Sequence, residues 1–470
     1  MTPHSTNPPF PKNLKWVLAF SFACFLATYF ILQLKYRIAE LDDTWWLTYA
    51  YNFVNRHITY DLFAGTDLFG AGVQSFGKTY AFLMGTILNF WGWTKPHAFD
   101  LSLFFLLGGT LAWYFVLRRF QYSRELSATF CVTSLLLDPF FSAAVSARAE
   151  AFIFFVSSLS LLLFVWNRYF WAALAAWICL ETHPVGSVAF FLMAAAFWGM
   201  NRPGFPARPQ LRRLLFFGLT GFSLGALYYC LLHSGHLAAL PQGLLSNNQI
   251  SRSPVQNFIF EYYFLSKYNR HLAELALLAI CSFEFFRKKA YRTDPLVLPL
   301  ILFLLLFSLV IRRPNFHYPL FFYPAFLLMV VKVFEIRRNL PLLTLGFLGL
   351  LLPQYAFVYH LNHSYDYNLE IQSYQKLVPD DSLPILGSPD AWFAFPRRDF
   401  YSNRYRGDLQ KLGLRRFYLI KEKGEDLFEI KPYVQPRFDA KLLGEFSMDR
   451  WKFVVALEEP LKERHPGYFP

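Results

Sequence analysis

From Leu14 to Leu34 the chain reads LKWVLAFSFACFLATYFILQL, and two adjacent carboxylates follow in the run Leu41-Asp42-Asp43-Thr44-Trp45-Trp46. The first stretch is long and apolar enough to cross a bilayer, since a spanning helix needs about 20 mainly apolar residues. No small-residue cleavage site follows it, and further apolar segments come later in the chain, which argues against a cleaved signal peptide. We interpret it as an uncleaved first transmembrane helix, after which the acidic pair lies at the membrane surface.

The rest of the chain has the same apolar character. Of its 470 residues, 55% are hydrophobic and 20% are aromatic, too many for an ordinary soluble enzyme of this size. Windows close to spanning length lie at 14–34, 97–117, 126–142, 150–166, 169–182, 184–200, 212–233, 272–286, 296–311, 318–334 and 340–360. We therefore expect a polytopic helical membrane protein with about eleven transmembrane helices. Around His183-Pro184, the proline either divides one long segment into two or marks a re-entrant hairpin.

The distribution of positive charge predicts an orientation, because Lys and Arg are retained on the cytoplasmic side of a membrane. A cytoplasmic N-terminus places seventeen basic residues in cytoplasmic loops: Lys12, Lys15, Arg118, Arg119, Arg124, Arg168, Arg202, Arg208, Arg212, Arg213, Arg287, Lys288, Lys289, Arg292, Lys332, Arg337 and Arg338. Residues 35–97 on the opposite side hold five basic and five acidic side chains. We expect a multi-pass protein of the inner (plasma) membrane. The net charge of +13 then belongs to short loops and does not indicate nucleic-acid binding.

Residues 361–470 form a different kind of segment, with 17 basic and 17 acidic side chains and short apolar runs. Pro384–Gly387, Arg416–Ile420 and Lys452–Leu457 have the length and flanking residues of strands. We expect residues 1–360 to be a transmembrane domain and 361–470 a small periplasmic or extracytoplasmic α/β domain docked on its outer face. All five cysteines fall in apolar segments, which makes a disulfide framework or a Cys-based zinc site improbable.

The first outer loop, 35–96, is long and rich in aromatic residues. Aromatics recur through Thr44–Val54 and again through Phe76–Trp93, as in helices that lie along a membrane surface. Two such helices would flank the carboxylate pair and form the floor of a cavity at the boundary between lipid and water. A loop with this length and composition is typical of a functional segment.

Further ionisable and polar side chains are expected on the same outer side. They are Arg148, Glu150, His183, Arg312, Arg313, His317 and Tyr318. Ionisable residues at membrane depth are costly, so their presence indicates a functional site. We expect these groups to converge with Asp42 on one outward-facing cavity.

Together these features resemble the GT-C membrane glycosyltransferases. The similarity consists of an acidic pair just after the first helix, an Arg-x-Glu at the outer end of the next helical pair, a long first outer loop and a soluble C-terminal domain. The branch that contains the protein O-mannosyltransferases and the aminoarabinose transferase of lipid A is the most similar. The resemblance covers the architecture of the whole chain, although its motifs are short.

The resemblance implies roles for individual residues. Asp42 matches the first acidic residue of the pair, which acts as catalytic base or orients the acceptor, and Asp43 matches the second. Lys78 lies near a position where some members hold the donor phosphate, and Arg148 with Glu150 matches the Arg-x-acid feature. The segment 313–324 resembles the family's basic, Tyr-Pro-rich turn. Thr182-His183-Pro184 departs from the Lys-Gly or Lys-Pro of many relatives, which puts a phosphate contact by His183 in doubt.

The implied reaction transfers a sugar from a polyprenyl-phosphate-linked donor to an envelope glycan, lipid or protein. Cationic groups at the cavity rim bind the phosphate while apolar helices hold the polyprenyl chain. A carboxylate removes the acceptor proton, and attack opposite the leaving phosphate inverts the anomeric centre. A divalent cation, Mg²⁺ or Mn²⁺, could bridge Asp42, Asp43 and the phosphate, but two carboxylates alone do not establish one.

Each signal also has a structural interpretation. The acidic pair could cap its helix, Arg148 and Glu150 could be a structural ion pair, Arg312 and Arg313 could anchor a helix end in the headgroups, and His183 could pack or cap. A transporter or flippase of lipid-linked saccharides is the main alternative function, although transporters usually hold their polar groups near the midplane, often with internal repeats. A non-catalytic protein on the same scaffold is the third interpretation.

Overall fold

The structure is a computed structural model. It describes residues 13–35, 41–59, 62–63, 76–202, 209–234, 272–289, 294–310, 318–379, 381–403, 414–422, 439–447 and 451–458. All statements of structure below refer to these residues.

Residues 13–361 are helical almost throughout the described ranges. In chain order the helices are α1 (Leu14–Leu32), α2 (Leu41–Arg56), α3 (Lys78–Trp91), α4 (Lys95–Arg119), α5 (Arg124–Leu136), α6 (Asp138–Ala144), α7 (Glu150–Val165), α8 (Tyr169–Thr182), α9 (Val188–Met200), α10 (Leu211–Leu232), α11 (Leu272–Arg287), α12 (Val297–Val310), α13 (Pro319–Ile336) and α14 (Leu340–Leu361). Helices α2 and α3 confirm the two helices predicted in the first outer loop.

Five of these helices, α1, α4, α10, α13 and α14, are long and apolar enough to cross a membrane. The pair α5 and α6 passes the same criterion together but is bent by 66°. Shorter apolar helices lie at Glu150–Val165, Tyr169–Thr182, Pro184–Met200 and Val297–Leu309. A multi-pass helical membrane protein is thus supported, and the expected count of about eleven spans stays a prediction.

The segment around His183-Pro184 consists of two helices with a tight turn between them. Helix α8 ends at Thr182, a 3₁₀ turn occupies Pro184–Ser187, and α9 begins at Val188. A proline suits the first position of a helical turn because it has no N–H to leave unpaired. Gly186 lies directly against the backbone of Cys179, where a Cβ atom would clash. The turn at Pro184 thus separates two apolar helices, and the choice between two short spans and a re-entrant hairpin stays a prediction.

The opposite end of the bundle gathers residues from the loops that were predicted to be cytoplasmic. Tyr122 donates to Asp294 at 2.7 Å, Ser123 donates to Glu335 at 3.0 Å, and Arg337 pairs with Glu284 at 3.0 Å. Side chains from separate predicted loops thus meet at one end of the molecule, and one of them, the basic residue Arg337, has an acidic partner. The assignment of that end to the cytoplasm stays a prediction.

The C-terminal part contains helix α15 (Tyr367–Leu377), a 3₁₀ helix (Pro389–Ala394) and five strands: β1 (Ile385–Gly387), β2 (Phe400–Ser402), β3 (Arg416–Glu422), β4 (Asp439–Ser447) and β5 (Trp451–Glu458). The strand order is β2-β1-β3-β5-β4, with β1 parallel to β2 and β3 and the other pairs antiparallel. The predicted strands correspond to β1, β3 and β5, whereas β2 and β4 were not predicted. Helix α14 ends at Leu361, and a domain boundary at residue 360 stays a prediction.

The sheet domain packs on the first-loop helices. Trp392 of the 3₁₀ helix stacks edge-on against Tyr51 and Trp93, with ring centroids 6.4 and 5.9 Å away. Lys35, just after α1, donates to the carbonyl of Tyr365 at 2.8 Å. Such aromatic packing fixes the orientation of the two surfaces as well as burying area. The C-terminal domain therefore lies over the helix that carries the acidic pair.

Candidate functional site

The acidic pair occupies the first turn of α2, which begins at Leu41. The side chain of Asp43 is buried, with 6% of its surface exposed. It accepts hydrogen bonds from the hydroxyl of Ser146 at 2.8 Å and from the backbone N–H of Ala147 at 2.9 Å. Asp43 thus ties α2 to the connection between α6 and α7. The side chain of Asp42 lies outside what the structure describes.

The path of α6 explains how this connection reaches Asp43. The chain bends at Leu137, which is in an extended conformation, and Asp138 then starts α6. The carboxylate of Asp138 accepts a hydrogen bond from Tyr355 of α14 at 2.9 Å and another from Gln354. This buried anchor holds α6 so that Ser146 and Ala147 face α2.

Arg148 and Glu150 form a buried ion pair beside Asp43. The guanidinium donates from Nη2 to Glu150 Oε1 at 2.8 Å and from Nε to both carboxylate oxygens at 3.2 Å. The exposed fractions of the two side chains are 6% and 9%. The Arg148 N–H also donates to Ser146 Oγ at 3.3 Å, so one hydroxyl bridges the pair and Asp43. These contacts bring together three of the predicted site residues.

Tyr80 of α3 completes this polar cluster. Its hydroxyl donates to the carbonyl of Ala147 at 3.2 Å, and its ring packs on Trp46 with centroids 5.2 Å apart. Burial raises the pKa of Tyr80 well above its ordinary value, and the negative charges of Glu150 and Asp43 raise it further. Tyr80 therefore stays a neutral hydrogen-bond donor at physiological pH.

A row of packed aromatic rings connects this cluster to the start of α13. The ring centroid of Phe76 lies 6.2 Å from that of Trp46 and 5.1 Å from that of His183. The centroid of the His183 ring lies 6.3 Å from that of Tyr318. His183 Nδ1 also accepts the N–H of Val185 at 3.1 Å and so caps the 3₁₀ turn. His183 and Tyr318 are thus brought to the α2 and α3 side. The predicted site residues Arg312, Arg313 and His317 lie outside the described residues, just before Tyr318.

Lys78 stands at the start of α3, and Glu181 holds that helix terminus. The backbone N–H groups of Lys78 and Thr79 donate to the two oxygens of Glu181 at 2.8 and 3.1 Å. The Lys78 ammonium donates to the carbonyl of Leu232 at 2.5 Å. Burial lowers the pKa of Lys78, and the Glu181 carboxylate opposes that shift. Glu181 and His233 are fully buried, with His233 Nε2 3.3 Å from Glu181 Oε1.

Sequence reasoning singled out Lys78 but missed Glu181, His233 and Ser146. Glu181 could have been predicted from the sequence, because an acidic residue at the end of an apolar segment is energetically costly unless it is paired. His233 has the same position at the end of α10. Ser146 carried no such signal, since a serine gains its role only from the fold that places it against Asp43.

In the described part of the chain, no three His, Cys, Asp or Glu side chains are grouped so that they could hold a metal ion. Asp43, one of the two carboxylates that could bridge a cation, accepts two protein hydrogen bonds at Oδ1. The other, Asp42, has its side chain outside the described residues. Binding of Mg²⁺ or Mn²⁺ at this pair stays a prediction.

Comparison with known proteins identifies the fold. No family model matches the sequence and no curated protein matches it. Among solved structures, ArnT from Cupriavidus metallidurans in the apo state superposes with a TM-score of 0.62 at 12% identity, covering 94% of this chain and 98% of ArnT. ArnT bound to undecaprenyl phosphate gives 0.60 at 12% identity, covering 95% and 98%. The apo Archaeoglobus fulgidus oligosaccharyltransferase gives 0.50 at 10% identity, covering 87% of this chain and 70% of that protein.

ArnT, a lipid A aminoarabinose transferase, and the oligosaccharyltransferase are both GT-C glycosyltransferases. The chain therefore shares its fold with ArnT and the oligosaccharyltransferase, which is the architecture that the resemblance to GT-C glycosyltransferases predicted. The likeness extends over nearly the whole of ArnT, so the bundle and the C-terminal domain are both part of it.

Proposed function

We propose that this protein is a membrane glycosyltransferase that takes its sugar from a polyprenyl-phosphate-linked donor. The shared fold with ArnT and the oligosaccharyltransferase supports glycosyl transfer from a lipid-linked donor. The existence of an undecaprenyl phosphate complex of ArnT supports the polyprenyl phosphate class. In this proposal the acceptor is an envelope glycan, lipid or protein. The site faces the periplasm of the inner membrane, on the side opposite a cytoplasmic N-terminus.

The observation that carries the proposal is the buried polar cluster formed by Asp43, Ser146, Arg148 and Glu150, with Tyr80 beside it. Removing charged groups from water is expensive, and a buried ion pair is weak evidence for stability. Charged residues in a membrane protein usually mark a substrate or ion site. The cluster lies at the ends of α2, α3 and α7, as expected for a site at the membrane surface.

In the proposed reaction, Asp42 accepts the proton of the acceptor hydroxyl or amine, or orients that group. The acceptor atom forms a bond to the anomeric carbon while the bond from that carbon to the phosphate oxygen breaks. The bonding pair leaves with the polyprenyl phosphate, and attack from the opposite face inverts the anomeric centre. Asp43 supports this step by fixing the first turn of α2 to Ser146 and Ala147.

The cationic groups have distinct roles. Arg148 is engaged with Glu150, so its charge is already partly neutralised. In the described part of the chain, the Lys78 ammonium donates to the backbone carbonyl of Leu232, and a phosphate is a stronger partner than a carbonyl. We assign donor-phosphate binding to Lys78 together with Arg312 and Arg313, which precede Tyr318 in the sequence.

The test compares purified wild-type protein with Asp42→Asn, using a panel of labelled polyprenyl-phosphate sugars and an envelope extract as acceptor. Asp366→Asn is the matched control, because Asp366 caps α15 and asparagine is an equally good cap. Loss of a general base lowers the rate by about 10²- to 10⁴-fold. Transfer by Asp42→Asn at the rate of the control would remove Asp42 from the mechanism. A parallel titration with EDTA and then Mg²⁺ or Mn²⁺ tests for a metal requirement.

A further inference from the structure

The C-terminal domain contains a buried group of three ionisable side chains. Lys452 of β5 is 1% exposed, and its ammonium lies 2.9 Å from Asp390 Oδ2 and 3.8 Å from Glu370 Oε1. Asp390 belongs to the 3₁₀ helix Pro389–Ala394, and Glu370 belongs to α15. The three side chains therefore join a strand, a 3₁₀ helix and an α-helix from distant parts of the sequence.

This group is connected to the acidic pair through one short chain of contacts. Pro389, the residue before Asp390, accepts a hydrogen bond from the Thr44 hydroxyl at 3.1 Å through its carbonyl oxygen. Thr44 is fully buried and directly follows Asp43 in α2. The first turn of α2 is thus held on one side by Asp43 bound to Ser146 and on the other by Thr44 bound to the C-terminal domain.

The position of the 3₁₀ helix is fixed at two of its residues. Trp392 packs against Tyr51 of α2 and against Trp93, while Asp390 is bonded to Lys452. Replacing a buried ion pair with apolar residues is often neutral for stability, so a buried pair can serve to specify geometry rather than to stabilise the fold. Here the geometry that it specifies is the position of the Pro389 carbonyl relative to α2.

We infer that Lys452 and Asp390 are positioning residues that act through Pro389 and Thr44 to hold the first turn of α2, and with it the acidic pair, in its working place. The soluble domain is then part of the catalytic unit. The inference rests on the proposed function, since it assigns a task to Asp42 and Asp43. Displacing a reacting group by about 1 Å can lower a rate by about 10²-fold.

The experiment uses the full-length protein with Thr44→Val, Thr44→Ser, Asp390→Asn and the matched control Asp381→Asn. Asp381 pairs with Arg398 at 2.6 Å and accepts a hydrogen bond from Tyr418, so its side-chain partners among the described residues lie within the C-terminal domain. Thr44→Val and Asp390→Asn should lower kcat about 10- to 100-fold with little change in KM for the donor. Thr44→Ser keeps the hydroxyl and should recover most of kcat, and Asp381→Asn should keep the wild-type value.

Hydrogen exchange of the peptide that spans α2 supplies a readout independent of turnover. Thr44→Val and Asp390→Asn should speed exchange in the first turn of α2, whereas Asp381→Asn and Thr44→Ser should not. Unchanged exchange in Thr44→Val and Asp390→Asn would overturn the inference, and so would equal damage from Asp381→Asn. If wild-type protein transfers no sugar while the exchange pattern appears as stated, the proposed function fails and the coupling of the domain to α2 stands.

Discussion

Replacement of Arg148 and Glu150, singly and together, separates a structural ion pair from a functional one. The pair is joined by one contact of 2.8 Å and two of 3.2 Å, and the side chains are 6% and 9% exposed. Arg148→Met leaves a carboxylate buried without its main cation, and Glu150→Leu leaves a buried guanidinium. Either change should destabilise the protein by about 3–5 kcal/mol, the usual cost of an uncompensated buried charge.

The double variant Arg148→Met with Glu150→Leu removes both charges and fills much of the same volume. Its stability should return to within about 1–2 kcal/mol of wild type, because replacing a whole buried ion pair with apolar groups is often neutral. Sugar transfer should nevertheless stay at least about 100-fold below wild type, since electrostatic groups at a reaction site commonly contribute that much.

The assay pairs thermal unfolding in detergent with the transfer rate of the same preparations. Two single variants of low stability, and a double variant that is stable but inactive, are the predicted outcome. Single variants as stable as wild type would contradict the buried geometry of the pair. A stable double variant with full transfer would show that Arg148 and Glu150 serve only the fold.

Three further perturbations test other parts of the site. Gly77→Ala should destabilise the start of α3 by about 1–2 kcal/mol or more, because Gly77 has φ +83° and an added Cβ would lie 2.5 Å from the Trp46 ring. The control Gly346→Ala should leave stability unchanged, because the space around Gly346 is open. Thermal unfolding of both variants checks this prediction. Glu181→Ala uncaps two backbone N–H groups and should lower stability by about 1–3 kcal/mol, while Glu181→Gln should lose less, measured by the same method. Burial and the neighbouring Asp390 charge raise the pKa of Glu370 to about 8, so the stability that its proton contributes is complete below about pH 4.5 and is lost as the pH rises through about 8. The unfolding temperature should therefore fall more between pH 6 and 9 in wild type than in Glu370→Gln, and equal slopes would contradict this origin.

Much of the architecture could be predicted from local pattern. The helices α2 and α3 follow from the spacing of aromatic residues in the first outer loop, and the longest spans follow from runs of apolar residues. Strands β3 and β5 are apolar runs between polar flanks. Strand β2 has three residues, and β4 reads DAKLLGEFS, so neither shows a clear alternation that would separate it from a loop.

The site was predictable in its charged members and not in their partners. Asp43, Arg148 and Glu150 were found because charge in an apolar chain is conspicuous. Ser146 lies 103 residues from Asp43, and its hydroxyl acquires a role only when the bend at Leu137 turns α6 back towards α2. The hydrogen bond between Thr44 and Pro389 spans 345 residues. It joins a threonine hydroxyl to a backbone carbonyl, and neither group stands out in the sequence. Such contacts arise from tertiary packing, which local sequence does not encode.

Consumption of a polyprenyl-phosphate sugar by the purified protein tests the central claim most directly. Mass spectrometry of the lipid fraction should show acceptor-dependent conversion of the donor to free polyprenyl phosphate, with the sugar recovered on a component of the envelope extract. The Asp42→Asn variant should lower the rate of that conversion by about 10²- to 10⁴-fold. If no donor in the panel is converted, and reconstituted protein instead moves intact lipid-linked saccharide across vesicle membranes, then the protein is a flippase and the assignment of Asp42 as a catalytic residue is wrong.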